Sequence, residues 1–305
     1  MQTLLIVGCG DVARRTLPHL LGRYRIVALL RDSSQSETWR AQGVLPLVAD
    51  LDRAASLKRL AGLADTVLHF APPPEAGTQD LRMRRLLAAL SQGSLPRSIV
   101  YISTSGVYGD CRGARVAETS PVRPKTARAR RRVDAERQLR RFGRTTGVRV
   151  SILRAPGIYA ADRLPLDRLR RGVPVLCAED DVFTNHIHAD DLAQLACRAL
   201  RRGAANRVYN AADASSMKMG DYFDLVADSF GLPRPPRVTR QQAAAALSLV
   251  QLSFMSESRR LDNTRLCREF GVRLRYPSVV EGVGAARRER EAQREAARFI
   301  ERIES

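Results

Sequence analysis

The chain has 305 residues and a formal net charge of +19, with 51 Lys and Arg against 32 Asp and Glu. That length buries a full α/β core with a smaller second lobe, while the apolar segments are strand-sized and exclude a helix that crosses a bilayer. Five scattered cysteines without a Cys-x-x-Cys pair argue against a disulfide framework or zinc site and for a reducing cytoplasm.

Leu4–Val7 reads as a buried parallel strand. Gly8-Cys9-Gly10-Asp11-Val12-Ala13 then turns into an apolar helical segment through Leu20 and Leu21. In this context Gly8 permits the tight turn, and Gly10 lets backbone approach a pyrophosphate. Ala13 still allows helix and strand to pack closely. Phosphates would rest on the helix N-terminus, whose unpaired N–H groups and dipole favour negative charge, with Asp11 and Val12 inside the binding turn. An ordinary βα turn is the alternative.

Arg25–Leu30, the second strand, ends at Arg31-Asp32. Arginine there accommodates a ribose 2′-phosphate, whereas an acid would hold a 2′-hydroxyl. Arg31 comes first, so NADP(H) is favoured over NAD(H). A solvated strand-end arginine is the plainer reading.

Val44–Val48 leads to Asp50-Leu51, and a helical stretch Leu57–Leu63 precedes the strand Thr66–Phe70 with its exit Ala71-Pro72. Leu81–Leu90 is predicted helical, Ser98–Ser103 a strand, Arg128–Phe142 a charged helix and Val148–Leu153 a strand. Strands alternating with helices predict a doubly wound parallel sheet of Rossmann type. The expected organisation is a dinucleotide-binding domain over 1–153 that takes back a strand and helix near 183–201. A smaller, discontinuous C-terminal α/β substrate lobe is expected over 154–284, containing strand-like Arg207–Asn210 and helical Tyr222–Phe230. The tail, 285–305, reads as a charged helix whose alternating signs allow i,i+4 pairs, either solvated or contacting a partner. The N-terminus lacks a basic n-region, so no signal peptide is expected.

The positive charge predicts salt-sensitive attraction to polyanions. It is spread along the chain, however, and the densest run, Arg128–Arg132, has no interleaved aromatic for base stacking. Specific nucleic-acid recognition is the weaker reading. His186 and His188 would share one face of a strand, but no further ligand cluster accompanies them, and no metal is expected. His69 reads as a core residue.

The order of motifs resembles the short-chain dehydrogenase/reductase superfamily in its extended, epimerase/dehydratase-like branch. The motifs are Gly8-x-Gly10-x-x-Ala13, Asp50-Leu51, Tyr101-Ile102-Ser103-Thr104-Ser105-Gly106-Val107-Tyr108-Gly109, Arg154-Ala155-Pro156-Gly157-Ile158-Tyr159 and Ile187-His188-Ala189-Asp190-Asp191. Glu118-x-x-Pro121, Tyr209-Asn210-Ala211-Ala212-Asp213 and Tyr276-Pro277 complete the series, from about Leu4 to Gly282. The resemblance implies that Asp50 and Leu51 hold the adenine, and that Ala71 and Pro72 lie along the ribose and pyrophosphate. Ser103, Pro156, Gly157 and Ile158 would line the rest of the cofactor path to the nicotinamide. Thr104, with Ser105 beside it, matches the catalytic Ser/Thr, whose hydroxyl donates to a developing oxyanion. A threonine capping a turn is the alternative.

The sequence departs from the family at its acid/base. Aligning Glu136 with the family's helix glutamate puts Arg128 at the tyrosine position and Arg132 at the lysine position, and no tyrosine lies between Tyr108 and Tyr159. A guanidinium stays protonated and cannot replace a phenol. Three responses stay open. Tyr108 or Tyr159 moves protons; Arg128 and Arg132 clamp an anionic small-molecule substrate; or the protein binds NADP(H) as a sensor or scaffold without turnover. Ordinary sugar-nucleotide substrates are not expected to react. A homodimer is one possible assembly, and a solvated helix face is the plain reading of the arginine run.

Overall fold

The computed structural model describes residues 1–304. Seven strands, β1 (Gln2–Val7), β2 (Tyr24–Leu30), β3 (Leu45–Val48), β4 (Thr66–His69), β5 (Ser98–Thr104), β6 (Arg149–Ala155) and β7 (Arg207–Asn210), form one sheet. All neighbouring pairs are parallel, in the order β7-β6-β5-β4-β1-β2-β3. The chain winds outward from β1 through β2 to β3, then crosses to β4 and winds the other way. That reversal opens a crevice beyond the carboxyl ends of β1 and β4, where open α/β sheets bind ligands.

Successive strand side chains point to opposite faces. Leu5, Val7, Val27 and Leu29 bury on one face, and Leu4, Ile6, Ala28 and Leu30 on the other. Helices cover both, so the strands read as continuous apolar runs. On the Leu4 face lie α1 (Asp11–Leu20) and α4 (Ala189–Arg202). On the Leu5 face lie α2 (Leu81–Leu90) and α3 (Ala127–Thr146).

The structure redraws three expected elements. Arg207–Asn210, expected in the substrate lobe, is the edge strand β7, because Val208 and Tyr209 bury on opposite faces of the central sheet. The helix α5 (Thr264–Phe270) likewise adds Leu266 and Phe270 to the core beneath α1 and α4. The expected return near 183–201 holds for its helix only. Phe183–Thr184 pairs antiparallel with Met217–Lys218, and His186–His188 pairs in parallel with Gly157–Tyr159, both outside the central sheet. Leu57–Leu63 is mostly a 3-10 helix, Ala54–Leu60.

The second lobe has its own core of Leu166, Leu169, Val175, Phe223 and Val226. Helix α6 (Val279–Glu304) begins ahead of the expected 285. Its first turns are anchored in this core through Val279, Val283 and Ala286. A Cβ on Gly282 would fall 2.0 Å from the Tyr159 hydroxyl, so only glycine lets the helix dock there. Beyond that anchor Arg287 and Glu291 form an i,i+4 pair at 3.7 Å. Ser305, the end of the expected tail, lies outside the described residues. Among the described residues no helix is long and apolar enough to cross a membrane.

Candidate active site

The crevice begins at the turn after β1. Gly8 has φ +91°, and a Cβ there would meet the Ala71 backbone nitrogen at 2.3 Å. It is a glycine of the fold, pressed against the exit of β4. Gly10 differs: it caps α1 without any side-chain hydrogen bond, and a Cβ built on it meets nothing within 4 Å. Open space therefore faces the uncapped N–H groups of α1, the arrangement that receives an anion. Asp11 in the first turn carries an opposing charge, which Arg15 at 2.8 Å and Arg163 at 3.2 Å neutralise.

On one side of this turn a cavity of about 260 Å³ is lined by Cys9, Arg31, Asp50, Leu51, Ala71 and Pro72. Arg31 is exposed at its rim. Asp32 is committed to the local turn, accepting from the Ser34 hydroxyl and from the Ser34 backbone at 2.9 Å, and these hydrogen bonds hold its carboxyl below the usual range. On the other side a groove runs over Gly10, Asp11, Val12 and Ala13 to Ser103, Thr104, Pro156 and Ile158. Burial pushes the Cys9 thiol up to about 12, and it donates to Leu29 O, so it is a packing group.

The groove opens beyond Thr104 into a pocket of about 330 Å³ between the lobes, where Ser105, Arg128, Arg132 and Gly157 meet Phe254 and Glu257. Thr104 lines both spaces. Its Oγ1 accepts from Gly106 N at 3.2 Å, as a turn cap would, and its hydroxyl proton remains available to another acceptor. Arg132 donates to the Tyr101 hydroxyl at 2.8 Å and to Ile102 O at 2.9 Å, locking it to the end of β5. Arg128 stands over the Phe254 ring, 4.5 Å from its centroid. The Arg132 guanidinium is held by these contacts, whereas Arg128 is an exposed residue that keeps one face on the Phe254 ring. It is the neighbouring Arg131 that is buried, donating to Gly77 O at 2.7 Å.

Several expected roles change. The Ser103 hydroxyl donates to Glu136 at 2.6 Å, so its side chain is held by the protein and does not face a cofactor. Glu136 in turn holds Arg154 in a buried bidentate pair, 2.6 Å at its shorter contact, and Arg154 stacks on Tyr108. Tyr108 is fully buried and donates to Asn210 at 2.7 Å, which removes it as a proton carrier. Burial also raises its phenol. Tyr159 is buried too, its hydroxyl near Ser278 O at 3.4 Å and its ring against His188. Among the described residues no tyrosine lines the groove or the pocket. The two histidines serve structure: His188 accepts from Asp190 N at the start of α4, and His186 stacks on Tyr222. Burial depresses both to about 4.

Sequence reasoning missed Arg163, Glu257 and Arg259. All three arrive from distant segments with no local motif.

A parallel sheet wound from its centre, a glycine turn opening onto an uncapped helix and a groove ending between two lobes define a dinucleotide-binding α/β protein. The chain belongs to the NAD dependent epimerase/dehydratase family, whose model matches residues 4–212. No curated protein matches it. Among solved structures, a functionally unknown conserved protein from Silicibacter pomeroyi is 31% identical, with a TM-score of 0.78 over 95% of this chain and 99% of the other. A UDP-glucose 4-epimerase from Thermotoga maritima, solved with UDP-glucose, is 18% identical, TM-score 0.77, covering 96% and 99%. A dTDP-glucose 4,6-dehydratase from Streptomyces venezuelae, solved with NAD, is 22% identical, TM-score 0.75, covering 94% and 96%. At these identities the two enzymes share the fold.

Proposed function

We propose that the chain is an NADP(H)-dependent oxidoreductase that acts at a hydroxyl or carbonyl carbon of a small anionic substrate in the pocket beyond Thr104. The open space at Gly10 before the uncapped start of α1 carries this reading, because it suits a pyrophosphate and serves no packing need. In it, Gly8, Gly10, Asp11, Val12 and Ala13 hold the pyrophosphate, Asp50 and Leu51 the adenine, Ala71 and Pro72 the ribose, and Pro156, Gly157 and Ile158 the nicotinamide end. The nicotinamide supplies or accepts hydride. Thr104 donates to the substrate oxygen, and Arg128 binds the anionic group.

Arg128 and Arg132 occupy the positions of the family's tyrosine and lysine. Arg132 has become a strut between α3 and β5. Ordinary sugar-nucleotide epimerisation is therefore not expected. The engagement of both Arg132 contacts with the protein also favours a second reading, an NADP(H)-binding protein without turnover.

Arg31 at the cavity rim, with Asp32 engaged by its own turn, supports NADP(H) over NAD(H). NADPH should bind more tightly than NADH in fluorescence titrations. Arg31→Ala should erase about 1.5–3 kcal/mol of that preference, the worth of a charge-assisted hydrogen bond. Equal wild-type affinities would refute the assignment.

A further inference from the structure

The pocket poses a chemical problem: oxidoreduction at a hydroxyl carbon moves a proton as well as a hydride, and the tyrosine that would move it is gone. Among the described residues lining the pocket, Glu257 is the only carboxyl group, and no histidine, cysteine, lysine or tyrosine accompanies it. Its Oε2 pairs with Arg259 at 2.8 Å. Its Oε1 is buried and has no hydrogen-bond partner. A buried carboxylate oxygen left unpaired is costly, and such exceptions call for an explanation in a ligand or in chemistry.

The segment that carries Glu257 is held firmly. Ser258 N donates to Asp110 at 2.9 Å, and Ser258 O accepts from Cys111 N and Gly113 N, each at 3.0 Å. Asn185 donates to Arg259 O at 2.9 Å and accepts from Leu261 N at 2.7 Å. Arg259 also donates to Gly109 O at 2.6 Å. The carboxylate is thus fixed in advance in the pocket it shares with Thr104 and Arg128, as a catalytic group must be.

We propose that Glu257 is the general base of this enzyme. The inference rests on the oxidoreductase reading above. In the oxidising direction the substrate hydroxyl O–H bond breaks, and its proton passes to the Glu257 carboxylate. The electron pair left on oxygen forms the C=O bond, and the carbon loses hydride to the oxidised nicotinamide. Reduction runs the same steps backward, with protonated Glu257 as the acid. Arg259 is a positioning residue that holds the carboxylate through Oε2, and Arg128 binds the anionic end of the substrate. The charged and titratable groups around Glu257 are Arg259 on its own segment, Asp110 and Cys111 on the adjoining loop, and Arg128 and Arg132 on α3.

The test is NADP⁺ reduction at 340 nm by purified full-length protein with a panel of hydroxycarboxylates and sugar phosphates, which also separates the two kinds of anionic substrate. With an active member of that panel, Glu257→Gln should lower kcat at least about 100-fold, as loss of a general base does. KM and NADP⁺ affinity should change little, and the fall in kcat on the acid side of the pH profile should vanish. Glu257→Asp should retain part of the rate. Glu257→Gln that folds, binds NADP⁺ and keeps both its kcat and its acid limb overturns the assignment. Wild-type protein that binds NADP⁺ but oxidises no member overturns the oxidoreductase reading itself, and the role of Glu257 falls with it.

Discussion

At the cofactor end of the cleft, each wall comes from a consecutive stretch of chain: the turn after β1, the ends of β2 and β4, and the residues after β3. Sheet winding brings those stretches together. At the substrate end, Thr104 and Arg128 of the sheet domain face Phe254 and Glu257, which reach the pocket from the second lobe. In the first region the glycine turn sets the shape, with Arg31, Asp32, Asp50 and Arg82 around it; in the second, side chains from both lobes meet. In the second region Arg132 is tied to β5, and Glu257 keeps one buried oxygen without a partner.

The sharpest way to break this comparison is Gly10→Val. A valine there meets open space rather than protein, and φ −88° is ordinary for it, so the fold should survive. NADPH binding should nevertheless leave the measurable range, a loss of roughly 4 kcal/mol or more for a thousandfold change. Unaltered NADPH titration of the folded variant would mean that the groove is not the phosphate site.

A smaller effect is expected behind the substrate pocket, where Glu136 accepts from Ser103 and twice from Arg154. Glu136→Gln keeps the shape but strands a buried guanidinium, which should cost about 3–5 kcal/mol of stability in urea unfolding. A loss under about 1 kcal/mol would show that this wall does not depend on charge.

The smallest effect tests the junction of the lobes. Asp213 is buried near Asp191 and Glu281, and burial followed by these charges lifts its carboxyl to about 7 although Ser215 N donates to it. The folded protein then holds a proton that the unfolded chain releases between its ordinary value, near 4, and 7. Stability from this group is full below that window and is lost as pH rises through it. Asp213→Asn should flatten that part of the pH–stability curve and stabilise the protein at pH 8 by on the order of 1 kcal/mol. An unchanged slope in thermal unfolding between pH 5 and 8 would refute the proton assignment.

The sequence by itself determined the alternating α/β pattern, the glycine turn and most of the central strands, because strand burial and βα turns are written in neighbouring residues. It also established that no tyrosine lies between Tyr108 and Tyr159. It did not determine where Arg207–Asn210 belongs, since a four-residue strand looks the same in either lobe. The sheet edge beside β6 decided that. The same limit applies to the site. Ser103 and Tyr108 read as site residues from their motif, yet only packing revealed that their hydroxyls serve Glu136 and Asn210. Glu257 carries no local signature, because its chemistry depends on meeting Arg128 and Arg259 in a pocket between lobes. Pattern along the chain fixes backbone structure, but contacts between distant side chains exist only once the chain has folded.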